Sequence, residues 1–366
     1  MKPLKIICLC AARPNFMKIA PIITALNRCA RTEATLVHTG QHYDANMNGV
    51  FFEELGIPQP DVHLGVGSGS HASQTAEVLK RFEPVCLERT PQWVIAVGDV
   101  NSTLAGALVA SKLGIRIAHV EAGLRSFDRT MPEEINRVLT DAISDLLFVT
   151  ERSAIDNLSN EGVAASRVHF VGNVMIDTLM RMRDRASGSD ILKRLGLEPA
   201  EYALATLHRP ANVDHAATFG SILAGLNGIA QDLPVIFPIH PRTRRNLDRM
   251  GLTDRLEAAR NIVLLDPLGY VDFLQLMANS AVVLTDSGGI QEETTILGVS
   301  CLTVRENTER PVTLSQGTNQ LVGCSGDAMI AAYRALKAAP AARPTAPELW
   351  DGHAAERIVD LIVAAD

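Results

Sequence analysis

The sequence predicts an α/β protein built from two doubly wound parallel-sheet domains. Three observations carry this. The chain has 366 residues, and at about 150 residues per domain that length suits two domains. Short β-rich runs alternate with longer amphipathic segments along most of it, the pattern of βαβ units. Several of those runs are continuously apolar rather than alternating, as parallel strands buried on both faces require.

In chain order, strands are expected at Lys5–Cys10, Ala34–His38, Trp93–Val97, Ile115–Val120 and Leu146–Val149. A second series is expected at Val168–Val171, Tyr202–Thr206, Val235–Ile239, Ile262–Leu265, Val282–Thr285 and Ser300–Thr303. Helices are expected at Met17–Cys29, Gln74–Leu87, Ser102–Lys112, Glu134–Ile143 and Ser153–Asn160, then at Ala216–Gln231, Val271–Ala278, Gln291–Leu297 and Asp327–Lys337. The alternation weakens over Met180–Glu201, an Arg-rich stretch followed by Gly188-Ser189 and Pro199, and the domain junction is placed there. The expected division is 1–180, 181–345 and a C-terminal helix within 346–366 that could pack back on either domain. Two Rossmann-like halves facing each other across a cleft are the natural assembly of such parts.

Composition narrows the function classes. Hydrophobic residues make up 47% and charged residues 20%, too apolar for disorder. Lys and Arg number 34 against 41 Asp and Glu, a net charge of −7, which argues against nucleic-acid or anionic-membrane partners. The six cysteines, at 8, 10, 29, 86, 301 and 324, form no Cys-x-x-Cys pair and read as isolated thiols in a reducing cytoplasm. Met1–Ala12 reads as a first core strand rather than a signal peptide. No apolar run approaches the ~20 residues of a membrane span.

Ligands of doubly wound sheets bind outside the carboxyl ends of the strands, and the odd polar residues fall there. The first strand ends in Ala11-Ala12-Arg13-Pro14-Asn15, with Lys18 nearby. It lacks Gly-x-Gly-x-x-Gly, so a nicotinamide cofactor is disfavoured. Asp99 and Glu121 each follow an apolar strand, and Glu133 and Glu134 open a helix that carries Arg137. Several acids at one sheet edge suit proton transfer to and from carbon. In the second half, His208-Arg209 and His240-Pro241-Arg242 each follow a strand, suited to phosphate contact or proton transfer. Asp286-Ser287-Gly288-Gly289 opens the next helix. Asp286 or Ser287 could cap it, and the two glycines leave backbone N–H groups open to a diphosphate. No Asp-x-Asp cluster is present and the histidines are scattered, so no metal and no cofactor are expected.

Taken in order, Ala12-Arg13-Pro14 with Lys18, Gly40-Gln41-His42, Gly98-Asp99, Val120-Glu121-Ala122-Gly123-Leu124-Arg125 and Pro132-Glu133-Glu134-Ile135-Asn136-Arg137 resemble the non-hydrolysing UDP-N-acetylglucosamine 2-epimerases. So do Gly172-Asn173-Val174-Met175-Ile176-Asp177, His208-Arg209, Asp286 to Glu293 and Glu309-Arg310-Pro311. The resemblance runs over residues 5 to about 325. It implies a glycosyltransferase-B-type fold that is often dimeric, so a homodimer is expected, in the cytoplasm that the thiols suggest. It also implies isomerase chemistry, in which UDP is eliminated across C1–C2 and re-added through 2-acetamidoglucal. The positions that match its catalytic groups are Asp99, Glu121, Glu133 and His208. Arg13 and Lys18 sit where diphosphate or substrate contacts are expected. Ser287, Gly289 and Glu293 match the diphosphate and ribose contacts, Phe273 would stack near the uracil, and Arg310 is a further nucleotide-side contact. Arg137, His240 and Gly288 are read beside them as substrate-binding. The partner implied is a UDP-sugar, with UDP. A UDP-2,3-diacetamido uronic acid substrate, a hydrolysing epimerase and a UDP-sugar glycosyltransferase stand as alternatives. Many bacterial members of the family need a second UDP-sugar as activator, held in part by a Gln-His pair and by a further Gln. Here Gln41-His42 keeps the pair, while Gly69 stands near the position of the further Gln, so no such activation is expected.

Overall fold

The computed structural model describes residues 2–11, 13–40, 54–253, 256, 259, 261–338 and 345–366. The Gln41-His42 pair lies outside them. The chain divides into two compact units, Met1–Arg181 with Glu348–Asp366, and Met182–Pro347.

Among the described residues the first unit holds seven strands, β1 (Leu4–Cys10), β2 (Thr32–His38), β3 (Val62–His63), β4 (Trp93–Val97), β5 (Arg116–Val120), β6 (Leu146–Val149) and β7 (Val168–Phe170). Their order is β3-β2-β1-β4-β5-β6-β7 and every pairing is parallel. All five residues of β4 and all four of β6 are buried, which is why these runs read as continuously apolar. Each fully buried Val, Leu or Ile contributes about 1.5–3 kcal/mol.

The second unit repeats the plan with β8 (Ala203–Thr206), β9 (Val235–Pro238), β10 (Ile262–Leu265), β11 (Val282–Thr285), β12 (Ser300–Thr303) and β13 (Asn319–Leu321). The order is β10-β9-β8-β11-β12-β13, again parallel. Its core gathers Phe219, Ile222 and Leu226 of the helix Ala216–Ile229 with Phe237, Leu284 and Leu302 of the sheet. In each sheet the strand order reverses beside the first strand, at β1/β4 and at β8/β11. A crevice for ligands opens at such a reversal.

The helix Ala354–Ala364 belongs to the first unit and packs on the helix Arg13–Arg28. Trp350, buried just before it, donates its indole N–H to the Thr150 carbonyl at 2.9 Å. The helix has no side-chain cap of its own. Asp177 replaces one, accepting the Ala354 and Ala355 N–H groups at 3.1 and 2.7 Å. Asp177→Ala is expected to cost about 1–2 kcal/mol, the scale of a lost N-cap. Hydrogen exchange at residues 355–364 should accelerate. Unchanged exchange there would remove the cap from the docking of this helix.

Among the described residues no helix is long and apolar enough to cross a membrane, and no group of three or more His, Cys, Asp or Glu side chains is placed to hold a metal ion.

Candidate active site

Each unit gathers its polar side chains at its own strand reversal. In the first, β4 is followed by Gly98 and Asp99, and β5 by Glu121. The two strands pair in register up to Val97 and Val120, so both acids leave the sheet at one edge. Lys18, on the helix after β1, forms a buried ion pair with Glu121. Asn15, on the same helix, donates to the Val97 carbonyl at 2.8 Å. Arg137 reaches Asp99 at 2.5 Å and also pairs with Glu134. Gly98 has φ +72°, and a Cβ there would stand 3.3–3.4 Å from Glu121 Oε2, Asn15 Nδ2 and Lys18 Nζ. Glycine thus admits both the left-handed turn and the close approach of the ion pair.

Glu121 is itself left-handed, at φ +71°. A bulky residue pays about 1–3 kcal/mol for that conformation, and such strain persists only where the surroundings impose it. Here they do. The N–H groups of Glu121 and Ala122 both reach the Phe148 carbonyl at 3.1 Å. Behind them His119, fully buried, donates from Nε2 to the Gly98 carbonyl at 2.8 Å and meets Asp141 at 2.6 Å. Asp141 also accepts the Gly123 N–H at 3.0 Å and pairs with Arg125 at 2.7 Å. Burial opposes its ionisation, but His119 and Arg125 outweigh burial and hold its carboxyl below the usual range.

The two glutamates that open the helix Pro132–Ile143 differ. Glu134 is buried and accepts the Ser126 N–H at 3.0 Å and the Phe127 N–H at 2.9 Å, so it pins the preceding loop and Arg137. Glu133 is half-buried and makes no hydrogen bond or ion pair among the described residues. Arg13 begins its helix, but its side chain lies outside the described residues.

In the second unit, His208 follows β8 and Asp286 follows β11, neighbouring strands. Asp286 does not cap the helix that it precedes. Its carboxylate turns to the 208–212 segment and meets His208 Nδ1 at 2.9 Å. Ser287 makes no side-chain capping bond either, so the helix Gly288–Leu297 starts without a side-chain cap. Gly288 is explained by packing, since a Cβ there would lie 2.4 Å from the guanidinium of Arg310. Arg310 is buried, donates to Glu292 at 2.6 Å and pairs with Glu309. Arg305 adds a third contact to that group, 2.8 Å from Glu309. Burial opposes ionisation of Glu309, yet Arg310, Arg305 and Arg209 hold it well below the usual carboxylate range.

Glu293, one turn into the same helix, accepts the Tyr270 hydroxyl at 2.6 Å. Burial pushes its carboxyl up to about 7, with the Tyr270 hydroxyl pulling down and Glu292 pushing up. Phe273 is half-buried one turn along the helix Tyr270–Ala278. His240 caps the helix Pro241–Arg249, its Nδ1 accepting the Arg242 N–H at 3.1 Å, and its ring centre stands 6.0 Å from that of His208.

The structure therefore unites Lys18 with Glu121, Asp99 with Arg137, and His208 with His240. Sequence reasoning did not find Asn15, His119, Asp141 or Tyr270, nor the turn of Asp286 toward His208. His119, a polar residue inside an apolar strand, was the one legible signal among these.

The UDP-N-acetylglucosamine 2-epimerase family model matches residues 24–363. This chain belongs to that family. It is an isomerase, a nucleotide-sugar 2-epimerase by family. It is 44% identical to a UDP-N-acetylglucosamine 2-epimerase of Methanococcus maripaludis over 324 residues, 87% of this chain and 88% of the relative. It is also 44% identical, over 335 residues, to the UDP-2,3-diacetamido-2,3-dideoxy-D-glucuronate 2-epimerase of Pseudomonas aeruginosa, with 90% and 92% of the two chains covered. The crystal structure of the Methanocaldococcus jannaschii UDP-GlcNAc 2-epimerase, in complex with UDP-GlcNAc and UDP, superposes with a TM-score of 0.93 at 42% identity, covering 99% of this epimerase and all of that chain. The epimerase fold is thus of the glycosyltransferase-B type, with two parallel-sheet units.

Proposed function

We propose that this epimerase interconverts UDP-N-acetylglucosamine and UDP-N-acetylmannosamine by eliminating and re-adding UDP through 2-acetamidoglucal. The observation that carries the reading is the pair of acids leaving adjacent strands, Asp99 and Glu121, each held by a buried cation, Arg137 and Lys18. The C2 hydrogen is not next to a carbonyl and is not acidic in the ground state. As the C1–O bond breaks, its electron pair leaves with UDP and positive charge grows at C1. A carboxylate then takes the C2 proton, and the C–H pair becomes the C1=C2 bond. Return of a proton to the opposite face of C2, with re-addition of UDP at C1, completes the inversion. Proton transfer to and from carbon needs positioned groups of controlled protonation, and loss of a diphosphate needs donors for its charge. The uncapped helix start at Ser287, Gly288 and Gly289 suits the latter. Glu133 and His208 complete the proposed acid–base set. Arg13, Lys18, Arg137, His240 and Arg310 supply substrate-side positive charge, with Phe273 beside the uracil.

The test is a panel of UDP-sugars in deuterated water, followed by proton and phosphorus NMR. UDP-N-acetylglucosamine should give the C2-inverted, C2-deuterated product with no build-up of free UDP. Turnover of only the diacetamido uronate would transfer the reading to the substrate of the Pseudomonas relative. Free UDP with N-acetylmannosamine would make the enzyme hydrolysing, and reaction only with an added acceptor would make it a glycosyltransferase. We assign the reaction to a cytoplasmic homodimer without resident cofactor. The exposed Ile135 and Leu139, one turn apart on the helix Pro132–Ile143, support an interface.

Ser70 caps the helix His71–Arg89 by accepting the Ser73 N–H, and His71 is engaged with Asn101. Neither side chain carries the amide of the glutamine near whose position Gly69 stands. Conversion of the UDP-mannosamine epimer alone is therefore expected to begin without a lag. A requirement for traces of UDP-N-acetylglucosamine would overturn this.

Glu293 gives a pH dependence. We place Glu293 at the ribose of the UDP-sugar, whose hydroxyls would donate to the carboxylate, so binding favours its ionised form. UDP affinity should rise as pH rises from 6 to 8, through a carboxyl placed at about 7. Comparison with Glu293→Gln by calorimetry isolates this from titration of UDP's own terminal phosphate. Identical slopes for the two proteins would remove the carboxyl from the ribose site. Without ligand the same raised pKa makes the fold lose stability as pH rises from about 4.5 to about 7.

A further inference from the structure

We propose that Asp286 is a positioning residue that holds His208 as its Nδ1–H tautomer, leaving Nε2 to exchange a proton with the substrate. The proposal rests on the epimerase reading above for the role of His208, and on geometry for the role of Asp286.

Asp286 has no solvent exposure. Its Oδ1 lies 2.9 Å from His208 Nδ1 and 3.1 Å from the His208 N–H. Its Oδ2 accepts the His208 N–H at 3.0 Å, the Arg209 N–H at 2.9 Å and Asn212 Nδ2 at 3.1 Å. Burial works against ionisation, but His208 and these N–H donors outweigh it and hold the carboxyl below its usual range. An ionised carboxylate only accepts, so the proton of a neutral His208 must sit on Nδ1. The side chain of His208 is 42% exposed, and among the described residues Nε2 has no hydrogen-bond partner. In the proton step a proton moves between substrate and Nε2 and no bond to Asp286 changes. Asp286 supplies the countercharge of the imidazolium, the division of labour of His–Asp pairs elsewhere.

The same contacts decide what an isosteric amide would do. In Asp286→Asn the three donors around Oδ2 require oxygen there. The NH2 group must then occupy the Oδ1 position, facing His208 Nδ1. Two donors cannot face each other, so Nδ1 loses its hydrogen and Nε2 gains it. The fold keeps its contacts to Arg209 and Asn212, while the imidazole can no longer accept at Nε2.

The experiment combines nitrogen-15 histidine NMR with kinetics on the full chain, the His208 signals being assigned by their loss in His208→Gln. At a pH where the ring is neutral, wild type should show Nδ1–H and Asp286→Asn should show Nε2–H. Turnover of Asp286→Asn should fall about 10³-fold, the scale of an inverted tautomer in such pairs, with KM and UDP affinity within about threefold. Added to His208→Gln, the change should cost under about threefold more, since the two act as one unit. A wild-type Nε2–H tautomer overturns the proposal even if the variant fails to fold. So does an inverted tautomer with wild-type turnover, or full additivity in the double variant. If wild type turns over no UDP-sugar, the epimerase reading falls on its own, while the wild-type tautomer still decides the role of Asp286.

Discussion

Asp99→Asn, Glu121→Gln and Glu133→Gln are each expected to lower kcat by at least ~100-fold, the usual scale for losing a general acid or base. UDP affinity should stay within about threefold, because these acids are assigned to the sugar side of the substrate. The structure separates the three variants by their side effects. Glu121→Gln leaves the buried Lys18 without its countercharge, so it should also destabilise the fold, on the scale of about 3–5 kcal/mol for a broken buried pair. Asp99→Asn is milder, since Arg137 keeps Glu134 and Asp99 is partly open to solvent. Glu133→Gln breaks no recorded contact and should leave the melting temperature unchanged, which makes it the cleanest kinetic test. Steady-state rates with thermal melts of all three settle the matter. Near wild-type turnover in all of them would remove these acids from the mechanism.

The strands were legible because burial on both faces writes them as apolar runs. β3 and β13 were not, for the opposite reason. They are edge strands of two and three residues, with mixed burial, and two or three residues carry no periodicity. Helix starts were read late where a proline or a cap precedes the apolar pattern. The first helix begins at Arg13, with Pro14 in a turn that tolerates it, and the helix His71–Arg89 begins after its Ser70 cap. The helix Val174–Ser187 is not legible in the alternation, because its last turns are Arg-rich and break the apolar period. Site positions were legible as far as strand ends predict them, which places Asp99, Glu121, His208 and Asp286 at the sheet edges. Partnerships were not. Lys18 and Glu121 are 103 residues apart and Asp286 is 78 residues from His208. No local pattern records such a pairing, and the capping rule that fits Asp286 locally lost to a better set of donors elsewhere.

Gly289→Val is expected to weaken UDP binding by about 100-fold or more while the protein stays folded. The helix Gly288–Leu297 starts without a side-chain cap, so its first N–H groups are left for a ligand, and a helix start is a ready anion site. A hydrogen bond to a charged group is worth about 1.5–3 kcal/mol. Loss of two such bonds, when a β-branched side chain holds the diphosphate off the backbone, reaches that factor. Gly289 is half-buried and is not in the left-handed region, so valine there keeps a permitted backbone. Gly288→Ala supplies the contrast. Its Cβ would meet the Arg310 guanidinium at 2.4 Å and displace it from Glu292 and Glu309, so this variant should lose thermal stability before it loses affinity. Calorimetry with UDP, paired with melting curves, distinguishes the two. Unchanged UDP affinity in a folded Gly289→Val protein would move the diphosphate away from this helix start.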